Sequence, residues 1–164
     1  MEPEVKQEVT VEMTVETKLE QLGLTLPAVP APVAAYVPGA ADGTLVFTSG
    51  QLPTENGVLR KGKLGEDMTV EEGYEAARIA ALNCLAVVKS LAGSLDRVER
   101  VVKVVGFVNC TPDFEAQPKV INGASELLGQ VFGDAGLHAR SAVGVSSLPL
   151  GACCEVELIV RLKP

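Results

Sequence analysis

The strongest constraint on the fold is an apolar stretch at residues 100–110, with the sequence RVVKVVGFVNC. Valine recurs through it, and Lys103 is the only charged residue in its middle. Branched side chains of this kind pack well on a pleated surface, and a nearly continuous apolar run is typical of a strand with neighbours on both sides. The stretch therefore predicts an internal strand, and the rest of the chain must supply its neighbours and its cover.

Three segments have helical patterns that can provide this cover. In the longest, Thr69 and Glu72 form a capping box, apolar residues follow at helical spacing, and Gly93 ends the pattern. A later segment has Pro118 at the favoured first-turn position. The predicted helices cover residues 14–23, 69–93 and 118–133.

Several shorter stretches predict the remaining strands. A proline-containing connector at 24–38 leads into an extended segment at 33–37, and an Asn-Gly turn at 56–57 is followed by a short return strand. The other predicted strands cover residues 44–50, 139–145 and 153–162. We expect the last two to pair as a hairpin, which would bring Arg140 level with Glu155. This order of elements indicates an α+β fold, a sheet with two helices on one face.

The charge balance excludes several classes of partner. The 164 residues carry 21 acidic and 14 basic side chains, a net charge of −7, so the field of the protein repels nucleic acids and anionic membranes. No apolar run approaches the roughly 20 residues that span a bilayer. We predict a flexible acidic arm at 1–13 and a single domain at 14–164. Without a signal-peptide pattern, we expect a cytoplasmic location, with an organelle matrix left open.

The unusual residues are charges inside otherwise apolar strands. The four cysteines form no C-x-x-C pair and there is one histidine, His138, so no metal site is expected. Gly-rich phosphate loops, G-x-S-x-G elbows and H-E-x-x-H motifs are absent. Arg140 either pairs with Glu155 across two strands, or its guanidinium binds a substrate carboxylate through two parallel hydrogen bonds. Both interpretations stay open on spacing alone.

Three stretches resemble one family, the Rid/YjgF-type or reactive-intermediate deaminase proteins. They are LVFTSGQLP at 45–53, VVKVVGFVNCTPDF at 101–114 and HARSAVGVSSLPLGACCEVELIVRL at 138–162. The resemblance covers about residues 33–162, and the extended N-terminus is similar to the longer subgroup labelled endoribonuclease or chorismate-mutase-like. It implies a mixed sheet of the bacillus chorismate-mutase-like type, assembled as a homotrimer with three clefts between subunits.

The resemblance also implies a reaction and its residues. In the deaminase branch a cleft binds a 2-imino or 2-enamino acid, a small carboxylate, and adds water to give a 2-keto acid and ammonia, with no cofactor or metal. Arg140 would anchor the carboxylate and Glu155 would position water. The matching pocket residues are Tyr36, Ser49, Gly50 and Asn122.

Three of the pocket residues also have a purely structural interpretation: Tyr36 would be an aromatic residue of a strand, Ser49 would stabilise a local turn, and Asn122 would bond to the backbone. His138 is interpreted as a surface or interface residue. Two positions depart from the deaminase pattern, because Ala142 and Gly144 replace a common cysteine and a common acidic residue. The glycine would widen the pocket, so two outcomes stay open: the protein prefers a different substrate, or it has lost the activity. A non-catalytic carboxylate-binding protein and an endoribonuclease are the alternative functions. The acidic balance and the lack of paired histidines disfavour the nuclease.

Overall fold

The computed structural model describes residues 13–29 and 35–164. Its helices are α1 (Val15–Gln21), α2 (Val70–Ala92) and α3 (Gln117–Phe132). Its strands are β1 (Gly39–Asp42), β2 (Leu45–Thr48), β3 (Thr54–Glu55), β4 (Val58–Leu59), β5 (Val98–Asn109), β6 (Ala139–Val145) and β7 (Cys154–Leu162). The predicted arm lies outside the described residues except for Met13, so its boundary with the domain stays a prediction.

The three predicted helices are confirmed: threonine side chains cap the starts of α1 and α2, and α3 has Pro118 in its first turn and no side-chain cap. The Thr14 hydroxyl accepts a hydrogen bond from the Thr17 N–H at 3.1 Å, and the Thr69 hydroxyl accepts one from the Glu72 N–H at 3.2 Å. Gly93 follows α2 with a φ of +86°, a conformation that favours glycine. Local signals of this kind were sufficient to place all three helices.

Five strands form one mixed sheet in the order β1-β2-β7-β5-β6. Strands β5 and β6 are parallel and the other neighbours are antiparallel. Strand β5 is internal, as predicted. Strands β3 and β4 form a separate two-stranded ribbon around the predicted turn, where Asn56 and Gly57 both have positive φ.

Two predicted strand features are wrong. The hairpin between β6 and β7 does not form, because β5 lies between them: Arg140 on β6 is opposite Val104, and Glu155 on β7 is opposite Phe107. After β5 the chain crosses over through α3 and returns as β6, which is parallel to β5. Strand β6 pairs with one edge of β5, so the other edge is left for β7. The extended segment predicted at 33–37 is a bend at residues 35–36, and β1 begins only at Gly39; residues 33–34 lie outside the described part.

The sheet has one covered face and one open face, and both long helices pack on the covered face, as predicted. A Cβ at Gly106 of β5 would lie 2.5 Å from Ile121 of α3, and one at Gly39 of β1 would lie 2.8 Å from Val87 of α2. On the open face Phe47 is 39% exposed and Val143 is 45% exposed. The fold is thus α+β with a mixed sheet and three helices, the short α1 burying Leu19 in the same core. No helix in the described ranges is long and apolar enough to cross a bilayer.

Helices α2 and α3 approach most closely at Gly123, where a Cβ would overlap the Tyr74 carbonyl oxygen. We expect Gly123→Ala to lower the free energy of unfolding by about 3 kcal/mol, because rigid backbone faces the added methyl group. Equilibrium urea unfolding measures this. Gly129→Ala is the matched control on the same helix: its Cβ would meet nothing within 4 Å, so stability should hold or rise by up to about 1 kcal/mol. Equal stability of the two variants would contradict this close contact.

Candidate functional site

Arg140 lies on the edge strand β6 with its guanidinium against α3. Nη1 donates to Asn122 Oδ1 at 2.8 Å and to Ser125 Oγ at 3.2 Å, and Nη2 donates to the Pro118 carbonyl at 3.4 Å. We call Arg140, Asn122, Ser125 and His138 the arginine cluster. The ion pairs within residues 13–29 and 35–164 are Arg60–Glu55 and Lys89–Glu16. The interpretation of Arg140 as the ion-pair partner of Glu155 is therefore wrong.

The local sequence explains why these groups meet. Alternation along β6 places Arg140, Ala142 and Gly144 on the covered side, opposite Val104, Gly106 and Val108 of β5. On α3 the contacting residues Pro118, Asn122 and Ser125 are four and three positions apart, so they share one side of the helix. Ser125 was not among the predicted site residues, although its spacing from Asn122 could have identified it.

The guanidinium retains unused donors. Arginine has five N–H groups, and three of those on Arg140 have acceptors in the described part of the chain. The Nε–H and one Nη2–H remain, and these two nitrogens share one edge of the planar group. That edge has the spacing that binds two carboxylate oxygens at once.

The space beside Gly144 is filled. A Cβ at Gly144 would lie 2.6 Å from Cys110 Sγ and 2.8 Å from Gln117 Nε2. The Gln117 amide also donates to the Phe114 carbonyl at 2.7 Å, which holds it there. The expectation that Gly144 widens the pocket is therefore wrong: the glycine makes room for the protein's own side chains.

Glu155 forms a second group of residues with Gly50 and Ser49, which we call the glutamate cluster. A Cβ at Gly50 would lie 2.7 Å from Glu155 Cδ, so a residue without a side chain lets the backbone pass beside the carboxyl group. The segment is fixed because Gln51 and Val156 exchange backbone hydrogen bonds of 2.8 and 3.0 Å.

The Glu155 carboxyl group is half-buried on the open face. Burial raises its pKa above the ordinary value of a glutamate, and the neighbouring Glu157 carboxylate raises the pKa further. No donor in the described part of the chain forms a hydrogen bond with it. A carboxyl group with a raised pKa and free oxygens can hold a water molecule and exchange a proton with it.

Ser49 connects the glutamate cluster to the segment that carries Tyr36. Its hydroxyl donates to the Val37 carbonyl at 2.6 Å, and its N–H donates to the Pro38 carbonyl at 2.7 Å. Tyr36 itself is 51% exposed in the bend before β1, so the interpretation of Tyr36 as a strand aromatic is wrong. Tyr36 is thus placed on a segment that Ser49 holds, with its ring open to solvent.

The two clusters are separated within one chain. Arg140 is on the covered side of β6, whereas Glu155 is on the open side of β7. Their partners on β5 are three positions apart, and β5 separates the two strands, which gives about 10 Å along and about 10 Å across the sheet. A small ligand cannot contact both clusters of the same copy.

Other polar and reactive groups lie elsewhere. The four cysteines are buried, and burial raises the pKa of the Cys84 thiol to about 12. No group of three metal-ligating side chains is present in residues 13–29 and 35–164. A groove of about 510 Å³ lies between residues 23–27, residues 54–56 and α2, and it contains no member of either cluster.

Comparisons with known proteins show similar sequences. The family model described as "YjgF/chorismate mutase-like, putative endoribonuclease" matches residues 16–162, a range that contains both clusters. Protein TCP17 of Trypanosoma cruzi is 47% identical over 151 residues, covering 91% of this chain and 94% of that protein. The 2-iminobutanoate/2-iminopropanoate deaminase of Salmonella typhimurium is 32% identical over 130 residues, covering 79% of this chain and 89% of the deaminase.

A solved structure is also similar. The crystal structure of a protein with unknown function from Agrobacterium tumefaciens superimposes with a TM-score of 0.85 at 44% sequence identity. The match covers 92% of this chain and 94% of that one. The fold around both clusters is therefore shared with an experimentally determined structure.

Proposed function

This chain belongs to the YjgF/chorismate mutase-like family, which includes imine deaminases, and on that premise we propose that it hydrolyses reactive 2-imino and 2-enamino acids to 2-keto acids and ammonia. The observation that carries the proposal is the free edge of Arg140. A guanidinium that is held by neutral acceptors and has no acidic partner among residues 13–29 and 35–164 is suited to an incoming carboxylate.

The proposed active site needs more than one copy of the chain. The two clusters lie on opposite sides of the sheet, so we propose a homotrimer in which the arginine cluster of one copy faces the glutamate cluster of the next. The apolar residues exposed on the open face, among them Phe47 and Val143, support burial of this face in an assembly. Three equivalent clefts would result.

Each group has a defined part in the proposed reaction. Arg140 binds the substrate carboxylate, and Asn122 and Ser125 hold the guanidinium. A water molecule held by Glu155 attacks the imine carbon: the new C–O bond forms as the C=N π electrons move to nitrogen, and a water proton passes through Glu155 to the amine. The C–N bond then breaks as the carbonyl forms, and the hydroxyl proton passes through Glu155 to the departing ammonia, so an iminium acid and water give a keto acid and ammonium. A 2-enamino acid first becomes the imine by a proton shift from nitrogen to carbon.

The direct test is ammonia release from 2-iminobutanoate generated in the assay by oxidation of 2-aminobutanoate. We expect keto acid and ammonia to form faster than in a matched reaction without the protein, because the cleft orients water and moves protons, effects of about 10²–10⁴-fold. A protein that binds 2-ketobutanoate but does not accelerate hydrolysis would instead be a carboxylate-binding module. Cleavage of single-stranded RNA that is lost in Arg140→Ala would favour the nuclease alternative.

Mixing two inactive variants tests the shared cleft. Each of the variants Arg140→Ala and Glu155→Gln lacks the key residue of one cluster. When they are refolded together, some clefts of the mixed trimers contain Arg140 from a Glu155→Gln copy and Glu155 from a neighbouring Arg140→Ala copy. Random assembly in equal amounts restores about a quarter of the clefts, so activity should return to about a quarter of the wild-type value. Full-length variants mixed without refolding are the control, and no recovery after refolding would contradict a cleft between copies.

The pH dependence of turnover tests the role of Glu155. Its carboxylate form is the one that accepts a proton from water, so kcat should rise with pH through a pKa above the ordinary glutamate value. Glu157→Gln removes the neighbouring negative charge, which lowers the pKa of Glu155 and moves this limb of the profile to lower pH. Glu99→Gln, an exposed change on β5, is the control. An unchanged profile in Glu157→Gln would exclude Glu155 as the titrating group.

A further inference from the structure

His138 takes part in a chain of hydrogen bonds that ends on Arg140. His138 Nδ1 lies 2.6 Å from the Gly136 carbonyl oxygen, and His138 Nε2 lies 2.9 Å from Ser125 Oγ. A carbonyl only accepts, so Nδ1 carries the proton, and Nε2 of the neutral ring is then an acceptor. The Ser125 hydroxyl therefore donates to His138, and its oxygen accepts from Arg140 Nη1 at 3.2 Å.

The Gly136 end of this series of hydrogen bonds packs tightly against α3. A Cβ at Gly136 would overlap the Leu128 carbonyl oxygen, so the short turn at residues 133–136 packs directly on α3. Helix α3 also carries Ser125 and Asn122, the two acceptors of Arg140 Nη1. The Gly136 carbonyl and both acceptors are thus held by one helix.

We propose that Ser125 and His138 are positioning residues for Arg140: the Ser125 hydroxyl donates a hydrogen bond to His138, so its oxygen presents a lone pair to Arg140 Nη1 and fixes the orientation of the guanidinium, which leaves the Nε–H and the second Nη2–H to bind the carboxylate. The proposal rests on the proposed carboxylate site at Arg140. Neither residue contacts the reacting carbon or the water. Their effect should therefore fall on substrate binding and leave the chemical step nearly unchanged.

Variants separate this role from a merely structural one. Ser125→Ala removes one of the two Nη1 acceptors, and we expect the KM for 2-iminobutanoate and the Kd for 2-ketobutanoate to rise about tenfold, with kcat changed less than about twofold. Ser125→Thr keeps the hydroxyl and should bind like the wild type. His138→Ala leaves the hydroxyl free to rotate, and a smaller rise of about threefold is expected.

The double variant Ser125→Ala/His138→Ala is the sharpest measurement. Because His138 acts only through Ser125, the double variant should be no worse than Ser125→Ala alone. Additive losses would mean that His138 contributes independently, and would overturn the proposal. A wild-type Kd in Ser125→Ala would do the same.

The chain has one histidine, so the imidazole ¹⁵N spectrum of the full-length protein reports on His138 alone. We expect the tautomer with the proton on Nδ1, and a shift of the Nε2 resonance when 2-ketobutanoate binds that is lost in Ser125→Ala. The opposite tautomer, or an Nε2 signal that ignores bound 2-ketobutanoate, would overturn the inference while turnover still supported the proposed function. Absent turnover and absent 2-ketobutanoate binding in the wild type would overturn both.

Discussion

Replacing Arg140 with alanine is expected to lower kcat/KM for 2-iminobutanoate by about 30-fold to several thousand-fold. Removing one partner of a hydrogen-bonded charge pair costs about 2–5 kcal/mol, and the lost fork is the only group assigned to the substrate carboxylate. The binding of 2-ketobutanoate should fall with it, since product and substrate share that carboxylate. Steady-state kinetics and titration calorimetry measure the two effects.

Two further variants make this prediction specific. Arg78→Ala is the matched control, because Arg78 also donates to an α3 amide oxygen, that of Gln130 at 3.2 Å, but lies outside the arginine cluster. It should leave turnover and keto-acid binding unchanged. Arg140→Lys keeps the charge without the planar fork and should recover only part of the affinity. Wild-type binding of 2-ketobutanoate by Arg140→Ala, in protein of unchanged assembly state, would exclude Arg140 as the anchor.

Glu155→Gln is expected to lower kcat by about 10²–10⁴-fold with little change in the Kd for 2-ketobutanoate. The amide has nearly the same shape as the carboxyl group but cannot accept a proton from water, and it does not contact the substrate carboxylate. A single-turnover measurement with preformed imine separates the chemical step from binding. Turnover at the wild-type rate would remove Glu155 from the mechanism.

The same substitution should make the protein more stable at neutral pH. The pKa of Glu155 is raised in the folded protein, so the folded state favours the neutral carboxyl group. The stability that this group contributes is present in full below its unfolded pKa and is lost as pH rises through the folded pKa. Glutamine is neutral at every pH, so the gain of Glu155→Gln in urea unfolding should appear at neutral pH and vanish in acid.

The helices and most strands could be predicted because their signals are local. Thr69, Glu72 and Gly93 specify both ends of α2 through contacts within a few residues, and Pro118 marks the start of α3 in the same way. The valine-rich run likewise predicts an internal strand from its composition alone. Such patterns depend on neighbours in sequence, so they survive in the folded chain.

Strand partners could not be predicted in this way. The six residues at 146–151 resemble a hairpin connection, yet β5 takes the position between β6 and β7. By contrast, Arg140 and Ala142 lie on the same side of β6, and this follows from alternation, which is a property of a single strand. Which side faces a helix, and whether Glu155 shares it, depends on pairing between distant segments.

The candidate site could likewise be predicted only in part. Arg140 and Asn122 were identified through the family resemblance, and the structure brings them within hydrogen-bond distance. Ser125 was missed and His138 was assigned to a surface or interface, because neither carries a recognisable motif. Their role depends on a hydrogen bond between α3 and the residue before β6, which only the tertiary structure reveals.

The placement of the two clusters on opposite sides of the sheet determines when a copy of the protein could become active. If catalysis uses both clusters as proposed, a newly synthesised polypeptide carries every required group but has no working centre, because the two clusters of one copy cannot meet. In the proposed mechanism, activity requires that copies meet, so we expect the concentration of the protein to set the fraction that is active.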